Sequence, residues 1–384
     1  MLSDSFLNLN DFERAARRRL PRPLYSYITS AAEDGRSLTM NREAFDDYAL
    51  LTRVMVDVSK VSTEVELFGQ RFASPVGVAP MGLAAVSCYR GDLVLARAAK
   101  ASNVPAIMSG SSLIRLEEVM EAVPGTWFQA YLPGVEAEIE ALISRVRSAG
   151  VETLVITVDT PAPGNREADR RAGFSTPLRP GARLAFQGAI RPRWLSRVFL
   201  LTLMRHGMPH FENNYARRGA PILSRNVLRD FSDRGHLNWD YLRTIRSQWP
   251  GPLIVKGILN PLDARIAREV GADGIVVSNH GGRQLDGAVP PLRVLPRIME
   301  EVGELPVLVD SGIRRGTDVI KLLSLGAKAV LIGRPFGFAA AVAGQPGVEH
   351  AIGLISGELR RNMQMMGVTR LAGLGPENLV DMKR

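Results

Sequence analysis

A single cysteine, Cys88, occurs in 384 residues, so no intrachain disulfide can form and a reducing compartment is expected. The five histidines, at 206, 210, 236, 280 and 350, come with no CxxC and no HExxH. His206 and His210 have helical i,i+4 spacing but no partnered acid between them, which argues against zinc, and no metal is expected. No GxGxxG turn follows the first apolar runs, which argues against a doubly wound dinucleotide-binding sheet. A secretory signal needs an apolar core near the N-terminus, and Arg17-Arg18-Arg19 is followed instead by Leu20-Pro21-Arg22-Pro23. Export is not expected.

Acids are missing altogether between Arg170 and Phe211. The formal charge of +9 is concentrated there, because Arg166–Arg234 holds 14 arginines, no lysine and 5 acids. A basic patch fits nucleic acid, an anionic membrane surface or acidic ligands. The same segment contains Trp194-Leu195-Ser196-Arg197-Val198-Phe199-Leu200-Leu201-Thr202-Leu203-Met204. At about 11 residues it is too short for the ~20 that span a bilayer, yet it can lie on one. No nucleic-acid reader motif accompanies the charge, and the apolar run is long for a groove-facing surface, so nucleic acid is not the expected partner.

What recurs along the chain is the short Val/Ile-rich run: 75–80, 106–110, 127–132, 153–160, 253–258, 274–281, 306–313 and 329–335. Continuous rather than alternating hydrophobicity suits strands covered on both faces. Helical patterns fall between them at Asp92–Ser102, Arg115–Val123, Glu136–Ala149, Pro261–Val270 and Thr317–Leu325. Eight such units predict an α/β fold of the (β/α)8 TIM-barrel type, one domain over 1–384, with an N-terminal helical cap before about residue 70. One spacing is anomalous: roughly ninety residues separate Thr160 from Leu253, so a long insertion, basic and partly apolar, is expected after strand four over 176–234.

Barrel chemistry sits at the C-terminal ends of the strands. There the sequence places Pro80-Met81-Gly82, Ser109, Gln129 with Tyr131, Thr157 with Asp159, Lys256, Ser278 with His280 and Arg283, Asp310 with Arg314, and Gly333-Arg334. The loops Ser311-Gly312-Ile313-Arg314-Arg315-Gly316 and Gly333-Arg334 follow strands seven and eight, the usual phosphate site of this fold. Lys256 fits a Schiff-base former, a phosphate ligand or a fixed charge beside an electron-accepting ring. His280, followed by two glycines, fits a general base oriented by Asp159, and Arg283 and Arg166 fit a carboxylate clamp.

These residues also carry a resemblance. SNHGGRQLDG (278–287), TVDTPxxGxRExD (157–169), PLIVKGI (252–258) and DSGIRRGTDVIKLLSLGAKAVLIGRP (310–335) resemble the FMN-dependent L-2-hydroxy acid dehydrogenases and oxidases, over nearly the whole chain from LPRPLYSYITSAAED (20–34) onward. The resemblance implies bound FMN and oxidation of an L-2-hydroxy acid, of L-lactate or (S)-mandelate type, to the 2-keto acid. His280, supported by Asp159, would be the base, taking either the α-hydrogen or the hydroxyl proton. Arg283, Arg166 and Tyr25 would hold the substrate carboxylate, and Tyr131 its oxygen. Lys256 would face the flavin, with Pro80, Met81 and Gly82 alongside. Ser109, Gln129 and Thr157 would hydrogen-bond the ring, Ser278 would touch the ribityl chain, and Asp310, Gly312, Arg314, Gly333 and Arg334 would form the phosphate site.

Two departures shape the expectation. Ser111 stands where glycolate oxidases carry a tryptophan, leaving room for a larger substituent. Gly82, beside the flavin, is the pattern of quinone-coupled members, and HGMPHFENN (206–214) with RPRW (191–194) resembles the insertion of membrane-associated mandelate dehydrogenase. A peripheral enzyme on the cytoplasmic face of the cell membrane, passing electrons to a quinone, is therefore expected. An oxidase releasing hydrogen peroxide is the alternative. Such barrels commonly associate, and a homo-oligomer, a tetramer, is expected.

Overall fold

The computed structural model describes residues 2–224 and 234–383; residues 225–233 of the expected insertion lie outside the described residues. All eight runs form strands, labelled here β1 (Val76–Val78), β2 (Ile107–Ser109), β3 (Trp127–Tyr131), β4 (Leu154–Thr157), β5 (Leu253–Ile258), β6 (Gly274–Val277), β7 (Val307–Val309) and β8 (Ala329–Ile332). Each pairs in parallel with its neighbour, β8 returns to β1, and a Val78–Ala106 bridge joins β1 to the start of β2. This is the (β/α)8 barrel that the run-and-helix alternation predicts.

Every β4 and β6 residue is buried, which is why these strands read as unbroken apolar runs. The helices match their patterns within about one residue: Gly91–Ala101, Leu116–Ala122, Glu136–Ser148, Pro261–Glu269 and Gly316–Ser324.

The N-terminal cap is only partly helical. Helices Leu9–Arg19, Arg22–Thr29 and Arg36–Glu43 are followed by Tyr48–Leu50, paired with Leu379–Asp381, and by a hairpin of Val65–Leu67 with Gln70–Phe72. Val65, Leu67 and Phe72 pack with Trp127, Val155 and Ile254. The hairpin thus closes the end of the barrel away from the polar ring. Three-residue strands leave too little period-2 pattern to be read from sequence.

The 95 residues between Thr157 and Leu253 hold helices Glu167–Ala172, Ala182–Ala189 and Pro192–Trp194, a π-helical turn Leu195–Leu200 and helix Leu201–His206. Part of the apolar run faces inward: the Trp194 indole N–H donates to the Val86 carbonyl at 2.7 Å, and its ring stacks on Phe199 at 5.6 Å. Another part faces out, with Leu200 43% and Met204 82% exposed, as is Phe186 at 61% in the preceding helix Ala182–Ala189. No helix among the described residues is long and apolar enough to cross a membrane.

Candidate active site

The strand ends open into a cavity of about 700 Å3, within the range of ligand sites. After β6 the chain turns sharply, with His280, Gly281 and Gly282 all left-handed at φ 55°, 68° and 73°. A Cβ on Gly282 would meet the Leu38 backbone nitrogen at 2.7 Å, so glycine is required there. Histidine in this conformation is strained, and the surroundings hold it. Its backbone N–H donates to Ser278 Oγ at 2.9 Å, and Gly281 N–H donates to Ser311 Oγ at 3.0 Å. Asn279 exchanges side-chain amide hydrogen bonds with Asn41 at 2.9 and 2.7 Å. That buried pair ties the cap helix Arg36–Glu43 to the catalytic turn.

The His280 Nδ1 lies 2.9 Å from Asp159 Oδ1. Burial raises the Asp159 carboxyl, but His280 and Lys256 outweigh it and leave its pKa below the usual value. An ionised carboxylate only accepts, so Nδ1 carries the proton and Nε2 is the basic nitrogen. Burial lowers the His280 pKa, Asp159 offsets part of that, and the Lys256 and Arg166 charges add to the fall. The imidazole is therefore neutral at pH 7, as a base must be.

Lys256 donates to Ser278 Oγ at 2.9 Å and pairs with Asp310 Oδ2 at 3.1 Å. Burial would lower its pKa, but Asp310 and Asp159 raise it above the ordinary value, so the charge is retained. Burial raises the Tyr131 phenol, which keeps its proton. Arg283 donates to the carbonyls of Tyr27 and Ser30 at 2.7 and 2.9 Å, and Arg166 donates to the Arg283 carbonyl at 3.3 Å. Burial, with Arg166 beside it, brings the Arg283 guanidinium down to about 10. Two arginines held this close form a site for an anion.

Of the residues expected from sequence, Pro80, Met81, Gly82, Ser111, Tyr131, Thr157, Arg166, Lys256, His280, Arg283, Asp310, Gly312, Arg314, Gly333 and Arg334 line the cavity. Asp159, Ser109, Gln129 and Ser278 stand behind its wall, where Ser109 Oγ donates to Gln129 Oε1 at 3.1 Å. Tyr25 is brought elsewhere: it lies outside the cavity, its ring 6.1 Å from that of Phe338. Tyr27 lines the cavity in its stead, stacked on Phe174 at 4.5 Å with Arg283 over its ring at 5.0 Å. On the helix Arg22–Thr29 residues two apart point about 200° away from each other, so only one of the two tyrosines can face the site. Sequence reading also missed Phe174, Asn41 and Arg234, a buried cation in the cavity wall.

The cofactor fit rests on orphaned atoms. Gln129 Nε2 and Thr157 Oγ1 are buried with no hydrogen-bond partner among the described residues, a cost of about 1–3 kcal/mol each unless a ligand supplies one. The heteroatom edge of an isoalloxazine is such a partner. At the far end, burial together with Arg283 and Arg314 pushes the Arg334 guanidinium well down, a cluster that a phosphate relieves. Gly312, left-handed at φ 88°, lies against the Asn41 carbonyl so closely that a Cβ would stand 2.5 Å away. A ring site beside Lys256 and a phosphate site after β7 and β8 match FMN end to end.

Fold and site together define a flavin-dependent oxidoreductase with a His–Asp pair at its strand ends. Residues 16–381 match the family model for FMN-dependent dehydrogenases. The chain is 42% identical to an L-lactate dehydrogenase of Caulobacter vibrioides (strain NA1000 / CB15N) over 380 residues, 97% of each protein. It is 40% identical to that of Alcaligenes faecalis over 381 residues, covering 96% of this chain and 97% of the relative. The crystal structure of the monotopic membrane protein (S)-mandelate dehydrogenase superposes with a TM-score of 0.88 at 33% identity, over 98% of this chain and 99% of the other. Mandelate oxidase with (S)-2-phenylpropionate gives a TM-score of 0.79 at 35% identity, over 98% of each. The chain belongs to the FMN-dependent 2-hydroxy acid dehydrogenase family.

Proposed function

We propose that the protein oxidises an L-2-hydroxy acid, of the class that includes lactate and mandelate, to the 2-keto acid and delivers the electrons to a membrane quinone. The observation that carries the reaction is the 2.9 Å His280–Asp159 pair, in one cavity with Arg166, Arg283, Tyr131 and Lys256. Arg166 and Arg283 bind the substrate carboxylate, with Tyr27 in place of Tyr25 beside them, and Tyr131 holds the oxygen on the reacting carbon. His280 Nε2 receives the proton, and Asp159 stabilises the imidazolium that results. Bound FMN supplies the two-electron acceptor, held by Gln129, Thr157 and Ser109 at the ring and by Gly312, Arg314, Gly333 and Arg334 at the phosphate. Anaerobic mixing with L-lactate, (S)-mandelate and glycolate tests this: bleaching of the flavin by an L-acid and not its D-enantiomer is expected. No bleaching by any of them overturns the reading.

Ser111 supports a pocket open to bulky substituents. Ser111 lines the cavity, and a Cβ on Gly82 would already stand 3.0 Å from its own Cβ, so a tryptophan at 111 fills the space at once. Ser111→Trp is expected to cut kcat/KM for mandelate more than for glycolate, by about 1–3 kcal/mol of discrimination. Equal loss for both acids would remove Ser111 from the substrate wall.

Quinone delivery is supported by Gly82 and by the outward apolar residues of the insertion amid its arginines. Phe186, Leu200 and Met204 would enter the interface while arginines meet anionic headgroups, each worth ~1 kcal/mol and weakened by salt. The protein is expected to sediment with anionic vesicles at low salt and to reduce quinone in them. Replacing Phe186 and Met204 together by Asp should release it while dye-linked turnover continues. Peroxide formation at the full turnover rate would instead favour the oxidase reading.

A further inference from the structure

Ala84, Ser87, Leu95, Gly337 and Ala340 all line the cavity, and none of them carries a charge. They come from three elements that pack on one another: the one-turn helix Ala84–Ser87, helix Gly91–Ala101 and the helix Arg334–Met365 that follows β8. This wall of small and apolar residues contrasts with the rim that holds Arg166, Lys256 and Arg283.

The outer side of the same wall carries the insertion. Ala84 and Ser87 are three residues apart and share a face of their helix, the one turned to the cavity. The Val86 carbonyl, near the helix end where intrahelical donors run out, accepts from the Trp194 indole at 2.7 Å, and Trp194 is not part of the cavity lining. Three residues on, the Tyr89 hydroxyl and His206 Nε2 lie 2.9 Å apart. The apolar stretch of the insertion is thus tied near both its ends, at Trp194 and at His206, to segment 84–89. Leu200 and Met204, between the two ties, are exposed. A single turn of helix, about 10 Å thick with its side chains, stands between that stretch and the cavity.

An electron acceptor dissolved in lipid needs an apolar wall, an approach that avoids the charged substrate rim, and a donor for a carbonyl. The wall supplies the first two, and the hydroxyl of Ser87, buried at 6% exposure, supplies the third. A hydroxy-acid anion finds no partner there, so oxidant and substrate have separate approaches.

We propose that this wall is the quinone site: the quinone enters from the membrane interface beside Trp194, sets its ring against Ala84, Ser87 and Ala340, and accepts a hydrogen bond from Ser87. This rests on the quinone reading above and gives it a place. The quinone gains the two electrons and two protons that the hydroxy acid loses, and it leaves as the quinol while the keto acid leaves by the charged rim. Trp194 is a positioning residue, which holds the insertion over the wall through the Val86 carbonyl.

The test uses the FMN-loaded full chain without vesicles, so that membrane attachment plays no part. The probes are a short-chain benzoquinone with one isoprenyl unit and its azido derivative. On irradiation with the wild type, the azido-quinone is expected to label residues 84–95 or 337–340, and excess parent quinone should suppress the labelling. Ser87→Ala should raise KM for the quinone by ~3–10-fold through loss of one hydrogen bond. Trp194→Leu, which removes both the ring and the bond to Val86, should raise it by at least ~10-fold. In both variants flavin reduction by hydroxy acid, followed by stopped flow, should keep the wild-type rate, which a general loss of packing would not allow. Flavin absorbance checks that they fold and hold FMN. Labelling confined to other segments overturns the proposal without any variant, as does an unchanged quinone KM in both variants. If the quinone fails to oxidise the reduced enzyme at all, the quinone reading itself falls, which is a different failure from a quinone that reacts elsewhere.

Discussion

His280→Gln is expected to yield a yellow, FMN-loaded protein whose flavin is reduced by hydroxy acid at least ~100-fold more slowly, since a positioned base contributes about 10²–10⁴. Glutamine keeps the volume and polarity of the site but has no basic nitrogen at neutral pH. FMN contacts at Gln129, Thr157 and Arg334 are elsewhere, so binding and chemistry separate. The wild-type pH profile carries the same information. The base works when neutral, and burial holds its pKa below the ordinary imidazole value. Flavin reduction should therefore stay level through pH 7 and fall only as pH drops below that range. Asp159 raises the His280 pKa, so Asp159→Asn should both slow the reaction and move the acid limb to lower pH. A normal reduction rate in stopped-flow measurements on His280→Gln would assign the base elsewhere.

Arg334→Ala is expected to weaken FMN retention by about 1–3 kcal/mol, giving a pale protein that regains colour with added FMN. Arg334 also donates to the Gly281 and Ile28 carbonyls at 2.8 and 3.1 Å, so its removal disturbs the loop as well as any phosphate contact. Riboflavin separates the two causes, because it has the ring and ribityl chain without the phosphate. If Arg334 meets the phosphate, the substitution should cost FMN affinity and barely change riboflavin affinity, measured by quenching of flavin fluorescence. Equal losses for both would place its role in the loop.

Much of this site is legible in the sequence because its parts are local. A Val/Ile run that ends in Ser-Asn-His-Gly-Gly states its own turn, since glycines permit the left-handed backbone that follows the strand. Lys256, Ser278 and Asp310 close their strands by position, and a parallel barrel brings all strand ends to one rim. The hydrogen bond from Lys256 to Ser278 joins the neighbouring strands β5 and β6, whereas that from His280 to Asp159 reaches across the end of β5 from β6 to β4. Tyr25 against Tyr27 was not legible: both lie in one apolar helix, and which face meets the cavity depends on how that helix docks.

Sequence by itself therefore determined the barrel, the polar rim and the residues that meet there, His280 with Asp159 and the glycine–arginine loops after β7 and β8 among them, because strand burial and turn chemistry are written within a few residues of each other. Tertiary structure decided what depends on contacts between distant segments. The Asn41–Asn279 amide pair spans 238 residues and fixes the catalytic turn to the cap. Arg234 reaches the Tyr131 ring, 103 residues earlier in the chain, only because the end of the insertion returns over it. In the insertion, Trp194 turns inward to Val86 while Met204 stays exposed, a division that composition does not show. Periodicity records which residues are apolar; only packing settles which surfaces find a partner, because burial is a property of the approach of two elements and not of either one alone.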